Sequence, residues 1–353
     1  MNTESRPARR RGLRLALGAA LAALAVVSAA GVAVAAGDHA PPPAGTRTDA
    51  FTRDQVGDIG TEPNPSALPF WASPDIKVCA TALGCASDQP LTVGGTAYIF
   101  ITLNNPGPYG SGVSNGVMNV YWTLLGGAAQ WPADWTQIGA VAVASSPGVT
   151  TITIPWVNVP DDGPAPGAHF CLLSRWVSPT DPFTFEGPNT VANTTANNNI
   201  SWHNVAPIPV VTSSSSGTTV PFAIGNVAGV PTANDLVFGE GADRHFAAVG
   251  GKVVVDLGAN LFQRWVAAGA RGTAIQRIGG TKIAILDLAK ARIAGITINP
   301  GERPQVLLTF FAAEPATGVF PITVAQFGPG QAGAQPTDIG GVRYDVTVGR
   351  EQG

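Results

Sequence analysis

Gly112-Val113-Ser114-Asn115-Gly116 has the spacing of a serine nucleophile elbow. That chemistry needs a strand before the serine and a helix after it, so that a sharp turn lifts the hydroxyl clear of the sheet. Here the residues that follow, Val117 to Leu124, alternate apolar and polar with period two, which predicts a strand. The pattern therefore reads as a Gly/Ser-rich hairpin turn. A catalytic base would also be needed, and the chain has 4 histidines. His39 lies in an N-terminal tail, His169 and His203 flank strands, and His245 sits beside Asp243 and Arg244 in a loop. Their spacing singles out no triad, so we expect no catalytic residues and no enzyme.

The other reactive groups are sparse. Cys79 and Cys85 have five residues between them, and a local disulfide between them suits an exported domain. A bridge from either one to Cys171 is the alternative; without it Cys171, in an apolar strand, is a buried free thiol. The three cysteines with His169 lack the paired Cys-x-x-Cys spacing of a zinc site. Asp161-Asp162-Gly163, and Asp181 near Glu186, are acidic loops of the kind that hold calcium in secreted sandwiches. They lack the ligand spacing of a calcium loop, so we read them as solvated turns and expect no cofactor.

The aromatics carry more information. Seven of the 8 tryptophans lie before residue 203, and Trp265 is the other. Trp131 and Trp135 flank Pro132 and Asp134 in a loop, while Tyr98, Phe100 and Tyr121 fall opposite the apolar ladders of their strands. Buried, such rings are core; exposed, they stack on sugars or anchor a protein contact. Trp131, Trp135, Tyr98 and Tyr121 are the candidate ligand-binding aromatics.

The elements that must position these groups are strands. In Ala97–Leu103, Ala97, Ile99, Ile101 and Leu103 share a face; in Val117–Leu124, Met118, Val120, Trp122 and Leu124 do. We read the two as a hairpin across the Asn104–Gly112 break. Further strands fall at Asp75–Cys79, Val141–Ala144, Thr151–Trp156, His169–Val177 and Ile200–Val205, about seven in all. The His169–Val177 run is apolar on both sides, as for a central strand. A β-sandwich is predicted over residues 69–212, a Ser-rich linker over 213–218, and a second sandwich of seven or eight strands, with one short helix at Asn260–Ala268, over 219–350. Residues 37–68, rich in Pro, Asp, Thr and Gly without periodicity, read as a flexible spacer.

Residues 1–36 read as a signal peptide. Five arginines before Leu15 precede about 22 uncharged residues, and Val34-Ala35-Ala36 suits cleavage. The same run is long enough to remain as an uncleaved anchor, the one membrane contact we expect. Charged residues are only 12% of the 353, about half the usual share. Net charge is −3 and the basic residues beyond the signal are dispersed, which excludes nucleic acid as a partner.

Asp75-Ile76-Lys77-Val78, Leu103-Asn104-Asn105-Pro106-Gly107, Val120-Tyr121-Trp122, Trp131-Pro132 with Trp135, His169–Arg175 and Asn198-Asn199-Ile200-Ser201-Trp202 together resemble the bacterial cell-adhesion-related (CARDB-like) immunoglobulin-type modules. The resemblance covers about residues 70–210. Asn105-Pro106-Gly107 departs from the usual Asn-Arg-Gly type of turn. Pro300-Gly301-Glu302 and Gly340-Gly341-Val342-Arg343-Tyr344 give 218–350 a fainter immunoglobulin-like look. The resemblance implies an all-β chain of two tandem immunoglobulin-like sandwiches, secreted and without shared catalytic residues. Its expected role is adhesion, scaffolding or protein binding at the cell surface, with a carbohydrate-binding module as the alternative and a secreted hydrolase behind it. The expected partner is a protein or a cell-surface glycan.

Overall fold

Between Ile76 and His203 the period-two runs become two stacked sheets. The computed structural model describes residues 47–64, 69–161, 170–211, 217–313, 317–329 and 336–349. The expected signal peptide, His39, His169, Asp162, Gly163 and most of the 213–218 linker lie outside the described residues. Seven strands build the first sandwich: β1 (Ile76–Cys79), β2 (Thr96–Asn105), β3 (Ser114–Thr123), β4 (Thr136–Ser145), β5 (Gly148–Val157), β6 (Cys171–Val177) and β7 (Ile200–His203). One sheet has the order β1-β2-β5 and the other β4-β3-β6-β7. Between them Ala97, Ile99, Ile101 and Leu103 of β2 meet Met118 and Val120 of β3 and Ile152, Ile154 and Trp156 of β5, all buried. Each large side chain so buried contributes roughly 1.5–3 kcal/mol.

β2 and β3 are not a hairpin. β2 pairs with β1 and β5, and β3 with β4 and β6, so the two runs face each other across the core from opposite sheets. Alternation fixes which face of a strand is inward. It is the same for a side-by-side partner and for one across the core, and so cannot choose between them. The break between them is a crossover, held where Asn105 Nδ2 donates to the carbonyls of Gly112 and Ser145.

β6 is buried on both faces, as its composition predicts. Its outer face is covered by Phe70, Trp71, Trp135 and the helix α1 (Thr190–Ala196). That helix, TVANTTA, falls in a polar stretch whose pattern predicts no element. Asn189 caps it by accepting from Ala192 N, and Asn193 gives both amide atoms to Gly187. The expected spacer also differs. Residues 47–64 are packed, with Ala50, Thr52 and Asp54 buried, Phe51 bonded through N and O to Asn104, and Thr52 N donating to Asn198 O. Polar bonds rather than an apolar stripe hold this strap, so it leaves no periodicity to read.

The second sandwich comprises β8 (Val205–Val211), β9 (Thr218–Ala223), β10 (Thr232–Glu240), β11 (Lys252–Asp256), β12 (Arg271–Thr273), β13 (Ile275–Gly279), β14 (Lys282–Ile285), β15 (Arg292–Ile298), β16 (Gln305–Phe311), β17 (Gly318–Gly328) and β18 (Thr337–Gly349), with α2 (Gly258–Ala267) after β11. Its sheets have the orders β12-β15-β10-β17-β18-β8 and β13-β14-β11-β16-β9. Two boundaries move. Thr218, placed in the linker, begins β9, and residues 205–211, placed in the first sandwich, pair in parallel with β18. The chain changes sandwich at Asn204, whose carbonyl accepts from Arg343 N and whose Nδ2 donates to Gly341 O.

Candidate functional site

The outer face of the β4-β3-β6-β7 sheet gathers the aromatics into a patch. Tyr121 projects from β3 beside a register shift between Val120 and Tyr121. Trp131 is carried by the turn after β3, which is fixed by Trp131 N on Pro188 O (2.9 Å), Trp135 N on Pro132 O (3.0 Å) and Gln130 N on the Asp134 carboxylate (2.7 Å). The two rings meet edge to face, centroids 4.9 Å apart. Arg175 rises from β6 beneath them. Its guanidinium carbon lies 3.9 Å from the Trp131 ring centre and 4.7 Å from that of Phe183. The guanidinium also pairs with Glu186.

Burial is the largest influence on Arg175 and holds its pKa below the usual guanidinium value, against the pull of Glu186 and Tyr121. Arginine remains charged across any accessible range. Burial likewise raises the Tyr121 hydroxyl, with Glu186 adding and Arg175 opposing. The result is a fixed planar cation between two rings, beside half-buried Trp131 and Tyr121. Gln137 and Asn119 border it, with Gln137 Nε2 donating to Asn119 Oδ1 at 3.1 Å.

Trp131 and Tyr121 therefore come together, but the other two candidates do not join them. Trp135 is 8% exposed; its ring packs 5.6 Å from that of Trp202 and its Nε1 donates to Thr190 Oγ1. Tyr98 lies on the other sheet, paired with Pro155 of β5 and Cys79 of β1. Next to it Phe100 sits under Gly84 of the loop closed by a Cys79–Cys85 disulfide. Sequence reasoning names neither Arg175 nor Phe183 as a candidate, and it reads Glu186 only as part of an acidic loop. The one available signal was a lone arginine in an otherwise apolar strand.

The reactive groups are occupied structurally. Ser114 Oγ accepts from Thr48 Oγ1 and Trp176 Nε1 and is fully buried. His203 is buried with Nδ1 on the Ser73 carbonyl (2.7 Å) and Nε2 3.3 Å from Asp88. Burial would lower its pKa, but the charge and hydrogen bond of Asp88 outweigh that and raise it. Cys171 is a buried free thiol, pushed up by burial, with Sγ 3.1 Å from the Leu125 carbonyl. Asp181 does not sit in a solvated turn, being 3% exposed and accepting from Ala50 N, whereas Glu186 lies in an exposed loop and pairs with Arg175. Among the described residues no group of three or more His, Cys, Asp or Glu is placed to hold a metal ion, and no helix is long and apolar enough to cross a membrane.

No family model matches the chain, so the resemblance to CARDB-like modules gains no support there, and no curated protein matches it. Solved structures similar to it include the N-terminal domain of PorA, 12% identical over 41% of this chain and 87% of that one, with a TM-score of 0.24. The collagen adhesin CNA from S. aureus is 10% identical over 78% of this chain and 92% of that one, TM-score 0.24. The CupB6 tip adhesin from Pseudomonas aeruginosa is 9% identical over 78% and 98%, TM-score 0.19. At these scores the likenesses carry no argument about function. The all-β architecture of two immunoglobulin-like sandwiches is read from this chain's own strands.

Proposed function

We propose that this protein is a secreted, non-catalytic binding module of the cell surface, adhesive or scaffolding, whose contact patch is Trp131 and Tyr121, positioned by the buried Arg175 beneath them. The observation that carries it is the stack of Arg175 between Trp131 and Phe183, with Tyr121 set edge-on. Trp, Tyr and Arg are the residue types that dominate protein contacts, and here they are held rigid before any ligand arrives. A sugar platform needs two or three flat rings in one plane. Arg175 already covers one face of Trp131 and Tyr121 stands perpendicular to it, which favours a protein partner over a glycan. The buried Ser114 and the structural His203–Asp88 pair support the non-catalytic reading. Export rests on residues 1–36, and the CARDB-like assignment on the motifs between 70 and 210.

The test is binding of the purified protein to a panel of surface and matrix proteins and to a glycan array, repeated with Trp131→Ala. A protein hit weakened at least about tenfold by Trp131→Ala supports the reading. A glycan hit lost on the same substitution supports the carbohydrate-binding alternative. Any hit unchanged by it removes the patch from consideration.

A further inference from the structure

Sheet edges expose unpaired backbone N–H and C=O groups, and proteins blunt them with proline, charge, brevity or cover. Seven of the eight edges here are treated in one of these ways. β5 carries Pro155, β8 carries Pro207 and Pro209, and β9 carries Pro221. β12 and β13 are short and carry Arg271 and Arg277. β1 is covered by the loop after it, where Gln89 N donates to Val78 O, and β7 by Ser73 N on Trp202 O.

β4 is the exception. It is ten residues long, Thr136–Ser145, with no proline and no charge. Among the described residues its only strand neighbour is β3. Among the described residues, Gln137 to Ala144 form no backbone hydrogen bond outside that pairing. Ala140, Ala142 and Ala144 are exposed and alternate with half-buried Val141 and Val143.

We infer that β4 is a self-association edge, on which a second copy of this chain adds its own β4 antiparallel about a two-fold axis through Ala142. The occupant follows from the sequence of the edge. Ala140-Val141-Ala142-Val143-Ala144 reads the same in both directions. A two-fold pair centred on Ala142 sets Ala140 against Ala144 and Val141 against Val143, keeping the alternation of both copies in phase, as an isologous contact requires. An uncharged strand offers a charged partner nothing to pair with, whereas a second β4 is equally neutral. The exposed alanines are small enough for two outer faces to continue as one flat surface. The product is a continuous eight-stranded sheet, with the Trp131 patches of the two copies on the same face. A strand pair buries less than the roughly 1,200 Å² of a standard stable interface, so the dimer is concentration-dependent.

The test uses the full chain in sedimentation equilibrium over a wide concentration range, with cross-linking to fix the register. Facing residues in an antiparallel pair lie about 4.5–5.5 Å apart at Cα, within disulfide reach. Ala142→Cys is expected to form an intermolecular disulfide with itself. Ala140→Cys is expected to cross-link with Ala144→Cys in a mixture but not with itself. Ala142→Lys, at an exposed position, sets two lysines face to face and is expected to weaken association at least about tenfold without changing the unfolding midpoint. A chain monomeric throughout, a dimer indifferent to Ala142→Lys, or Ala140→Cys linking to itself as readily as to Ala144→Cys each overturns the inference.

Discussion

The two sandwiches share an architecture and differ in what fills them. The interior of the second is nearly all aliphatic and phenyl: Val220, Phe222, Leu236, Val253, Val255, Ile283, Ile293, Ile296, Ile298, Val306, Leu308 and Phe310 are buried with few polar neighbours. The first buries a comparable ladder but adds a dense polar layer. Ser174 and Ser201 share a hydrogen bond, Asn197 serves both Thr184 and Phe185, and Asn198 bridges Asp49 and Gly60. Hydrophobic burial stabilises without choosing an orientation. Buried hydrogen bonds add little net energy but cost much when broken, so they fix one arrangement. The sandwich that holds its parts by specific bonds is also the one that carries the rigid aromatic patch.

That contrast can be broken hardest in the apolar cores. Phe310→Ala in the second sandwich and Trp202→Ala in the first are each expected to cost about 3–5 kcal/mol in urea unfolding. Only the second of these should also loosen the patch, because Trp135 rests on Trp202; loss of partner binding with Phe310→Ala but not with Trp202→Ala would reverse the assignment.

Next in size is a dependence on pH. Burial pushes Asp181 up to about 7, with the charges of Asp49 and Glu62 adding to it. Burial also pushes Asp338 up to about 6, against its bonds from Gly340 N and Trp71 Nε1. Both bind a proton in the folded state that the unfolded chain has released above its own carboxyl pKa near 4. Stability therefore falls as pH rises from about 4 through 7, and the raised pKa of His203 acts in the same direction. The urea midpoint is expected to be higher at pH 5 than at pH 8, by on the order of 3 kcal/mol in stability. Asp181→Asn and Asp338→Asn should each flatten part of this dependence, leaving the part carried by Asp54, Glu62 and His203, whose values are also raised. A pH-independent midpoint in the parent protein would contradict it.

Smaller again is the disulfide. Its loop is short, and Cys79→Ser with Cys85→Ser is expected to cost about 2 kcal/mol by the loop-closure model. Intrinsic fluorescence should report the change in the tryptophan-rich first sandwich. Smallest is Arg303→Ala, which removes a half-exposed pair with Asp134 across the two sandwiches (3.3 Å) and should cost less than about 1 kcal/mol. A loss several times larger would mean that this contact, rather than the buried polar bonds, sets how the sandwiches meet.

Strand positions and inward faces were legible because period two is a local property. The alternations at β2 and β5 named their buried residues one by one, and β6 announced its central place by being apolar on both sides. Pairing was not legible, since β2 and β3 satisfy the same pattern in one sheet or in two. Order maintained by side-chain bonds also went unseen. The strap at 47–64 is rich in Asp, Thr and Gly, and α1 in Thr and Asn, residues of low helix and strand preference. The strap is ordered through distant partners such as Asn198, which donates to Asp49, and α1 through side-chain bonds to its flanking loop, such as Asn193 to Gly187. Of the site, the sequence named Trp131 and Tyr121 but grouped them with Trp135 and Tyr98, because ring type does not reveal which sheet a ring stands on. Arg175, the group that holds the patch together, was visible only as an oddity.

The parallel pairing of β8 with β18 has a mechanical meaning. Seven residue pairs, from Val205 with Arg343 to Val211 with Gly349, join the strand that leaves the first sandwich to the last strand of the second. Tension applied between the first sandwich and the far end of β18 runs along both strands in opposite senses. The hydrogen bonds are then loaded sideways and together, not peeled one after another from an end. Close approach stiffens the joint beside them: Gly340 lies so near Gly126 that an added Cβ would be 2.6 Å from its carbonyl oxygen. Loaded in this way, the β8–β18 row resists as a unit, because its bonds share the force rather than meeting it in turn.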